Sequence, residues 1–377
     1  MRINTALNIR DLRLLAKQRL PNMVFDYIDG GADDELAVTQ NEKRLAELKT
    51  TWKSLVDVSK IDTNISILGS NSKYPFFIAP SASSRLFHPR KGETAVVRAA
   101  ANAGIIYTAS TLSAVSLENI AVEAEVDKWF QLYMWKDKAL VESIVRRAQA
   151  AGFKGLVLTV DTPVAGNRER DPRNGFSIPP KVNFQTVRQA IVRPRYLLDV
   201  ALSAKIEAAN ISHIDGDVGG IVEFINNQFD RSVTWRDLEW IRSIWDGPLI
   251  VKGISNYRDA KMSKEHGADA IWISNHGGRQ LDSSPATIDL LGNVSAEFKG
   301  QLPIIFDGGV RRGSDVFKAL AMGASAVAIG RAYLWGLAAA GEKGVARAIR
   351  ILADELERTM ALTGCPNIQS ISYDCIA

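Results

Sequence analysis

The chain is poor in several features that narrow a function quickly. It has 2 cysteines in 377 residues, Cys365 and Cys375. That is too few for a disulfide framework, and their spacing is not that of a metal knuckle, so no metal site is expected. A reduced, cytosolic compartment is the expectation that follows. Charge of one sign is equally scarce. Lys and Arg number 46 against 42 Asp and Glu, a formal net charge of +4 with no dense basic block. That balance argues against a nucleic-acid partner. No apolar run approaches the roughly 20 residues that span a bilayer. The stretch 319–330 is short, rich in small residues and ended by Arg331. The N-terminus, Met1-Arg2-Ile3-Asn4, lacks the apolar core of a secretion signal. The chain is therefore not expected to cross a membrane.

A repeat of another kind is present. Short apolar runs recur at 76–79, 105–109, 129–133, 156–159, 249–252, 270–274, 303–307 and 326–329. Between them lie segments of helical spacing such as 139–151, 259–266 and 314–322, with Gly267 and Gly323 close behind the last two. Strand then helix, eight times over, predicts an α/β chain folded as a TIM (β/α)8 barrel. The alternative is a doubly wound sheet, but no glycine-rich dinucleotide fingerprint follows an early strand. We read 1–377 as a single domain, with an N-terminal helical segment over 1–65 and the barrel over 66–377. The helical segment is expected to close the barrel bottom and to send Tyr27 toward the active face. A long insertion, about 175–235, follows the fourth barrel strand. Its part 181–205 carries five basic residues against Asp199, interleaved with apolar ones such as Val192, Leu197, Leu198 and Leu202. It is either a lid packed over the site or a surface that rests on an anionic bilayer.

Residues 274–282 read Ser-Asn-His-Gly-Gly-Arg-Gln-Leu-Asp. His276 and Arg279 flank two glycines just after an apolar run, so the backbone can turn tightly and approach a ligand. Oxidation of a 2-hydroxy acid needs such a pair. A base takes a proton from the carbon or hydroxyl, and a fixed cation holds the carboxylate. Polar residues also collect at the other predicted strand ends, where a barrel carries its chemistry: Ser81 and Ala82, Ser110, Gln131 and Tyr133, Thr159 and Asp161, Lys252, Asp307 to Arg311, Gly330 and Arg331.

Three further motifs make the resemblance specific: Asp307-Gly308-Gly309-Val310-Arg311-Arg312-Gly313, Phe130-Gln131-Leu132-Tyr133 and Leu158-Thr159-Val160-Asp161-Thr162-Pro163. With the nonapeptide, and in this order, they resemble the FMN-dependent 2-hydroxy-acid dehydrogenases and oxidases over nearly the whole chain. The resemblance implies FMN as cofactor. It implies His276 as the base, with Asp161 stabilising its cationic form. Arg279 and the Tyr27 hydroxyl would hold the substrate carboxylate, Tyr133 would reach the substrate oxygen, and Arg168 would stabilise developing negative charge. Lys252, Ser274, Pro80, Ser81, Ala82, Ser110, Gln131 and Thr159 would meet the flavin ring. Its phosphate would lie where Asp307, Gly308, Gly309 and Arg311 face Gly330 and Arg331.

Within that family, Leu112 stands where glycolate oxidases have tryptophan, and Ala165 where they have leucine, which widens the substrate side. The run 237–242 and Trp245-Asp246-Gly247-Pro248 are similar to bacterial membrane-associated L-lactate dehydrogenases. The segment 167–171, Pro194-Arg195-Tyr196 and Gly364-Cys365-Pro366 look more like mandelate dehydrogenase. The resemblance implies oxidation of an L-2-hydroxy acid, with L-lactate leading and (S)-mandelate or a longer acid as the alternative. Electrons would pass to a quinone or to a separate cytochrome. Ala82 points the other way, toward an oxygen-using oxidase, since several dehydrogenases carry glycine there. A redox-neutral flavin-barrel isomerase is the reading from a different class, but it would not need His276, Arg279 and Tyr27 together. Family analogy implies a homotetramer, cytoplasmic and peripheral on the inner face of the cell membrane.

Overall fold

In the computed structural model, which describes residues 2–175, 189, 192–203, 206, 208–211, 228–298 and 300–377, two short strands precede the expected eight. β1 (Ile65–Ile67) and β2 (Ser70–Ser72) form an antiparallel hairpin. Its turn residues Leu68 and Gly69 both have positive φ, 50° and 72°, the conformation that matches the twist of paired strands. The apolar runs then become β3 (Phe76–Ile78), β4 (Tyr107–Ser110), β5 (Lys128–Tyr133), β6 (Gly155–Thr159), β7 (Leu249–Ile254), β8 (Ala270–Ile273), β9 (Ile304–Phe306) and β10 (Ala326–Ile329). They pair in parallel, each with the next, and β10 closes on β3. The fold is the (β/α)8 barrel, and closure removes the doubly wound alternative.

The strands read as continuous apolar runs because both faces are buried, yet the period of two still sorts them. Phe77, Trp129, Val157, Ile250, Trp272 and Ile305 fill the barrel interior. Their neighbours Phe76, Phe130, Leu156, Val251, Ile271 and Phe306 face the helices. Phe77 lies edge-on between the two indoles, 5.1 Å from Trp129 and 5.5 Å from Trp272. Both indole N–H groups are satisfied: Trp129 donates to Ser70 Oγ at 3.0 Å and Trp272 to Asp307 Oδ2 at 2.9 Å.

The first of these bonds shows what closes the bottom of the barrel. Ile67 packs into the interior cluster, and Asn71 N donates to the Asp127 carboxylate at 2.9 Å beside the start of β5. The hairpin is the plug. The N-terminal helices, expected there, lie elsewhere. α1 (Ile9–Arg19), capped by the Asn8 side chain at Asp11 N, joins the outer layer. α2 (Asn22–Asp29) sits over the opposite mouth, and α3 (Leu36–Glu47) follows it. α4 (Gly92–Ala103), α5 (Leu117–Glu123) and α6 (Lys138–Ala150) begin the ring. Two short helices follow, α7 (Arg170–Arg173) just before the long insertion and α8 (Pro194–Ala201) within it. The ring resumes with α9 (Trp235–Ile244), α10 (Tyr257–Glu265), α11 (Thr287–Phe298), α12 (Gly313–Ala321), α13 (Arg331–Ala340) and α14 (Glu342–Thr363). Among the described residues no helix is long and apolar enough to cross a membrane.

Lys181, Arg188 and Lys205 of the basic segment lie outside the described residues. What is described of it docks firmly. Tyr196 is buried and its hydroxyl donates to Leu86 O at 2.8 Å, Arg193 Nε donates to Leu20 O at 3.0 Å, and Asp199 pairs with Arg19. Val192, Leu198 and Leu202 face outward, each 59–61% exposed.

Replacing Phe77 with Ala removes the ring that both indoles pack against. We expect a loss of about 3–5 kcal/mol, read as a lower urea midpoint at unchanged slope.

Candidate active site

A cavity of about 700 Å³ opens at the C-terminal ends of the barrel strands, a volume suited to a cofactor with a small substrate. Of the residues singled out from sequence, all but Asp161 and Ser274 line it. Those two stand directly behind.

The base and its partner come from two strands. His276 sits in the left-handed region, φ 57°, held there by its N–H donating to Ser274 Oγ at 3.0 Å. Its Nδ1 lies 3.0 Å from Asp161 Oδ1, which leaves Nε2 for the cavity. Burial alone would push the Asp161 carboxyl up. The charges of His276 and Lys252 outweigh burial and hold it below its ordinary value. Asp161 therefore stays anionic behind the imidazole. Gly253 makes this approach possible. It sits at φ +103° where the β7–β8 register shifts, and a Cβ there would meet Asp161 Cβ at 2.7 Å. Gln280, quoted in the nonapeptide without a role, fastens the same loop by donating to Asp161 O and Val164 O at 2.9 and 2.8 Å.

Lys252, expected to meet the flavin ring, is buried and needs a partner for its charge. The protein already supplies one: Lys252 Nζ donates to Ser274 Oγ at 3.0 Å and lies 3.6 Å from Asp307, to which Ser274 Oγ donates at 2.8 Å. Ser274 thus joins Lys252, Asp307 and the His276 backbone. Along the next strand ends, Ser110 Oγ donates to Gln131 Oε1 and Gln131 Nε2 to Thr159 Oγ1, each at 3.0 Å. This fixes which way each polar group faces.

Two cations face the cavity from the other side. Arg279 Nη1 donates to Tyr27 O at 2.7 Å and Gly30 O at 3.2 Å. The Tyr27 ring lies 5.0 Å from the Arg279 guanidinium and 5.6 Å from that of Arg168. Among the described residues neither arginine forms an ion pair. Burial, then Arg168, pulls Arg279 down to about 10. It remains charged at neutral pH, and a carboxylate is the missing partner. The next arginine along, Arg170, is engaged instead, pairing with Asp26, Asp29 and Glu35.

The end assigned to a phosphate is built from backbone. Gly308 and Gly309 have φ of +115° and +79°, and a Cβ on either would meet Thr287 Oγ1 at 2.2 Å or Asn41 O at 2.4 Å. Arg311 stacks 4.7 Å from the Trp335 ring and pairs with Glu42 at 3.0 Å, while its Nε is buried without a partner. Arg331 lines the cavity as well. Its guanidinium donates to Ile28 O, Gly277 O and Gly30 O at 2.7–3.1 Å, which braces α2 against the site. Burial, with Arg311 and Arg279 nearby, pulls it down to about 9. The Gly330–Arg331 backbone still opens α13 toward the cavity, a helix N-terminus suited to an anion.

A family model for FMN-dependent dehydrogenases matches residues 16–377. The chain belongs to the FMN-dependent dehydrogenase family. A putative L-lactate dehydrogenase from Mycobacterium tuberculosis is 43% identical over 98% of this chain and 89% of its own length. Glycolate oxidase 3 from Oryza sativa is 43% identical over 97% and 94%. The crystal structure of the monotopic membrane protein (S)-mandelate dehydrogenase is similar at a TM-score of 0.95, with 38% identity over 99% of both chains. This FMN-dependent dehydrogenase is an oxidoreductase acting on CH–OH groups. The residues present fit FMN: the orphaned Arg311 Nε, the glycines with no room for a Cβ and the helix start form an anion cradle, and Lys252 lines the same cavity.

Sequence reasoning missed Phe229, Ile206, Ala208, Thr162 and Asp171, which also line the cavity. Phe229 packs edge-on to Tyr133 at 5.6 Å and comes from the far end of the insertion, where no motif marks it. We expect Gly253→Ala to displace Asp161 by its added Cβ. A shift of this size costs about 100-fold in turnover, measured as the rate of flavin bleaching by substrate with flavin content unchanged.

Proposed function

We propose that this chain, acting as one domain, oxidises an L-2-hydroxy acid to the 2-keto acid and passes the electrons to a quinone or cytochrome. The observation that carries the reading is one cavity facing both an anion-backed imidazole and two arginines without carboxylate partners. FMN, when bound, supplies the two-electron acceptor. Arg279, with Tyr27, holds the substrate carboxylate, and Arg168 offsets negative charge near it. Burial, then Asp161, raises Tyr133 well above its ordinary value, so its hydroxyl stays protonated and donates to the substrate oxygen. His276 Nε2 takes the substrate proton, and Asp161 stabilises the resulting cation. Lys252, kept in place by Ser274 and Asp307, holds positive charge at the flavin end.

L-lactate is the leading substrate. A bulkier acid of the (S)-mandelate kind is the second reading, supported by the apolar side that Leu112, Ala165, Ala208 and Phe229 give the cavity and by the likeness to mandelate dehydrogenase. The outward face of Val192, Leu198 and Leu202 supports a peripheral seat on the inner face of the cell membrane, where a quinone is reached. A tetramer is proposed from family analogy.

His276→Ala should retain FMN yet lose anaerobic bleaching by L-lactate; bleaching at the normal rate would refute its role as base. Leu198→Lys combined with Leu202→Lys should move the protein from the membrane fraction to the supernatant, with activity toward a soluble dye preserved. Unchanged fractionation would remove the membrane seat from the proposal.

A further inference from the structure

We propose that Asp171 makes the substrate pocket selective for monoanions, turning away 2-hydroxy acids that carry a second carboxylate. This rests on the reading of the cavity as a 2-hydroxy-acid site. Asp171 lies in the first turn of α7, its N–H donating to Arg168 O at 3.0 Å, and it lines the same cavity as Arg168, Arg279 and His276.

The neighbouring carboxylates are all engaged. Asp29 takes two hydrogen bonds from Arg13 at 2.6 and 2.7 Å. Asp26 accepts from Asn174 Nδ2 at 2.7 Å, and Glu35 pairs with Arg170 and accepts from Gly31 N at 3.1 Å. Arg170 thus ties down the acidic groups of α2 and the turn after it. Among the described residues, Asp171 accepts no hydrogen bond and closes no ion pair. Burial pushes its carboxyl up from the ordinary value, against the pull of Arg168 and Arg279 and with Asp26 adding to the rise. That is the behaviour of a carboxylate that no partner satisfies.

The charges explain what it does. Arg168 and Arg279 bring two positive charges to a half-enclosed site. A monoanionic substrate cancels one and Asp171 the other, so the loaded pocket closes near neutral. A second substrate carboxylate would meet Asp171 across a poorly solvated space, with no cation left over. Without Asp171, the spare cation would welcome that carboxylate.

The test compares two acids of similar length and different charge, L-2-hydroxybutanoate and L-malate, by anaerobic flavin bleaching of the FMN-loaded full chain. In Asp171→Asn, the preference for L-2-hydroxybutanoate should fall about tenfold, equivalent to about 1.4 kcal/mol. Most of that change should come from tighter L-malate binding. Asp171→Glu should keep the original preference, and Asp171→Ser answers the same question if the Asn variant does not fold. An unchanged ratio overturns the proposal, and so does an equal loss for both acids, which would mark Asp171 as a structural support. If the unmutated protein is bleached by neither acid, nor by L-lactate or (S)-mandelate, the 2-hydroxy-acid reading itself falls, and this proposal with it.

Discussion

Five cations brought to one end of a barrel set the terms for everything around them. A buried charge without compensation costs far more than a fold can absorb, so each must be answered. Lys252 is answered by Ser274 and Asp307, Arg331 by three carbonyls, and Arg311 by Glu42 and the Trp335 face. Arg279 receives two carbonyls and a tyrosine ring, and Arg168 shares that ring. None of these is a full counter-charge for the last two. The site is therefore left short of an anion beside His276, where the proposed substrate carboxylate would complete it, and the unpartnered Nε of Arg311 leaves a second place that the phosphate of FMN would fill.

That accounting also explains why the N-terminal helices belong to the active end. Three of the carbonyls that answer Arg279 and Arg331 come from Tyr27, Ile28 and Gly30, at the C-terminal end of α2 and just beyond it. A helix C-terminus presents unsatisfied carbonyls and carries negative partial charge, which is what buried guanidinium groups require. The Tyr27 ring arrives by the same route. The opposite end of the barrel needs no such elements. A hairpin of six strand residues with Ile67 inward and Ser70 on the Trp129 indole is enough to seal it. Stability and chemistry are thus separated along the barrel axis, as the strand-end rule for this fold leads one to expect.

Much of this was legible in the sequence, and for definite reasons. The eight strands announced themselves because burial on both faces makes each a continuous apolar run. The site residues were legible because they sit at fixed offsets beyond those runs. Resemblance then supplied roles that offsets alone do not. What stayed hidden depends on three-dimensional approach. The hairpin turn is Leu-Gly, without the Asn-Gly signature that would have marked it. Gly253 looks like any strand glycine until Asp161 is found against it. The three carbonyls that hold Arg331 come from segments far apart in the chain, so no local motif displays them. The pairing of Ser274 and Asp307 with Lys252 likewise crosses three strands. Asp171 was hidden inside a run of charges, and only the engagement of its neighbours sets it apart.

The placement of α8 draws these strands of argument together. Its inward residues reach Leu20 and Arg19 at the end of α1 and Leu86 in the loop after β3. That loop follows Ser81 and Ala82 on the cavity wall, and α1 leads directly into α2 and its carbonyls. The segment that presents Val192, Leu198 and Leu202 outward is therefore braced on the two segments that shape the cavity. Three specific contacts hold its inner face. For an enzyme proposed to deliver electrons to a membrane quinone, this bracing would fix the orientation of the cavity relative to the surface it serves.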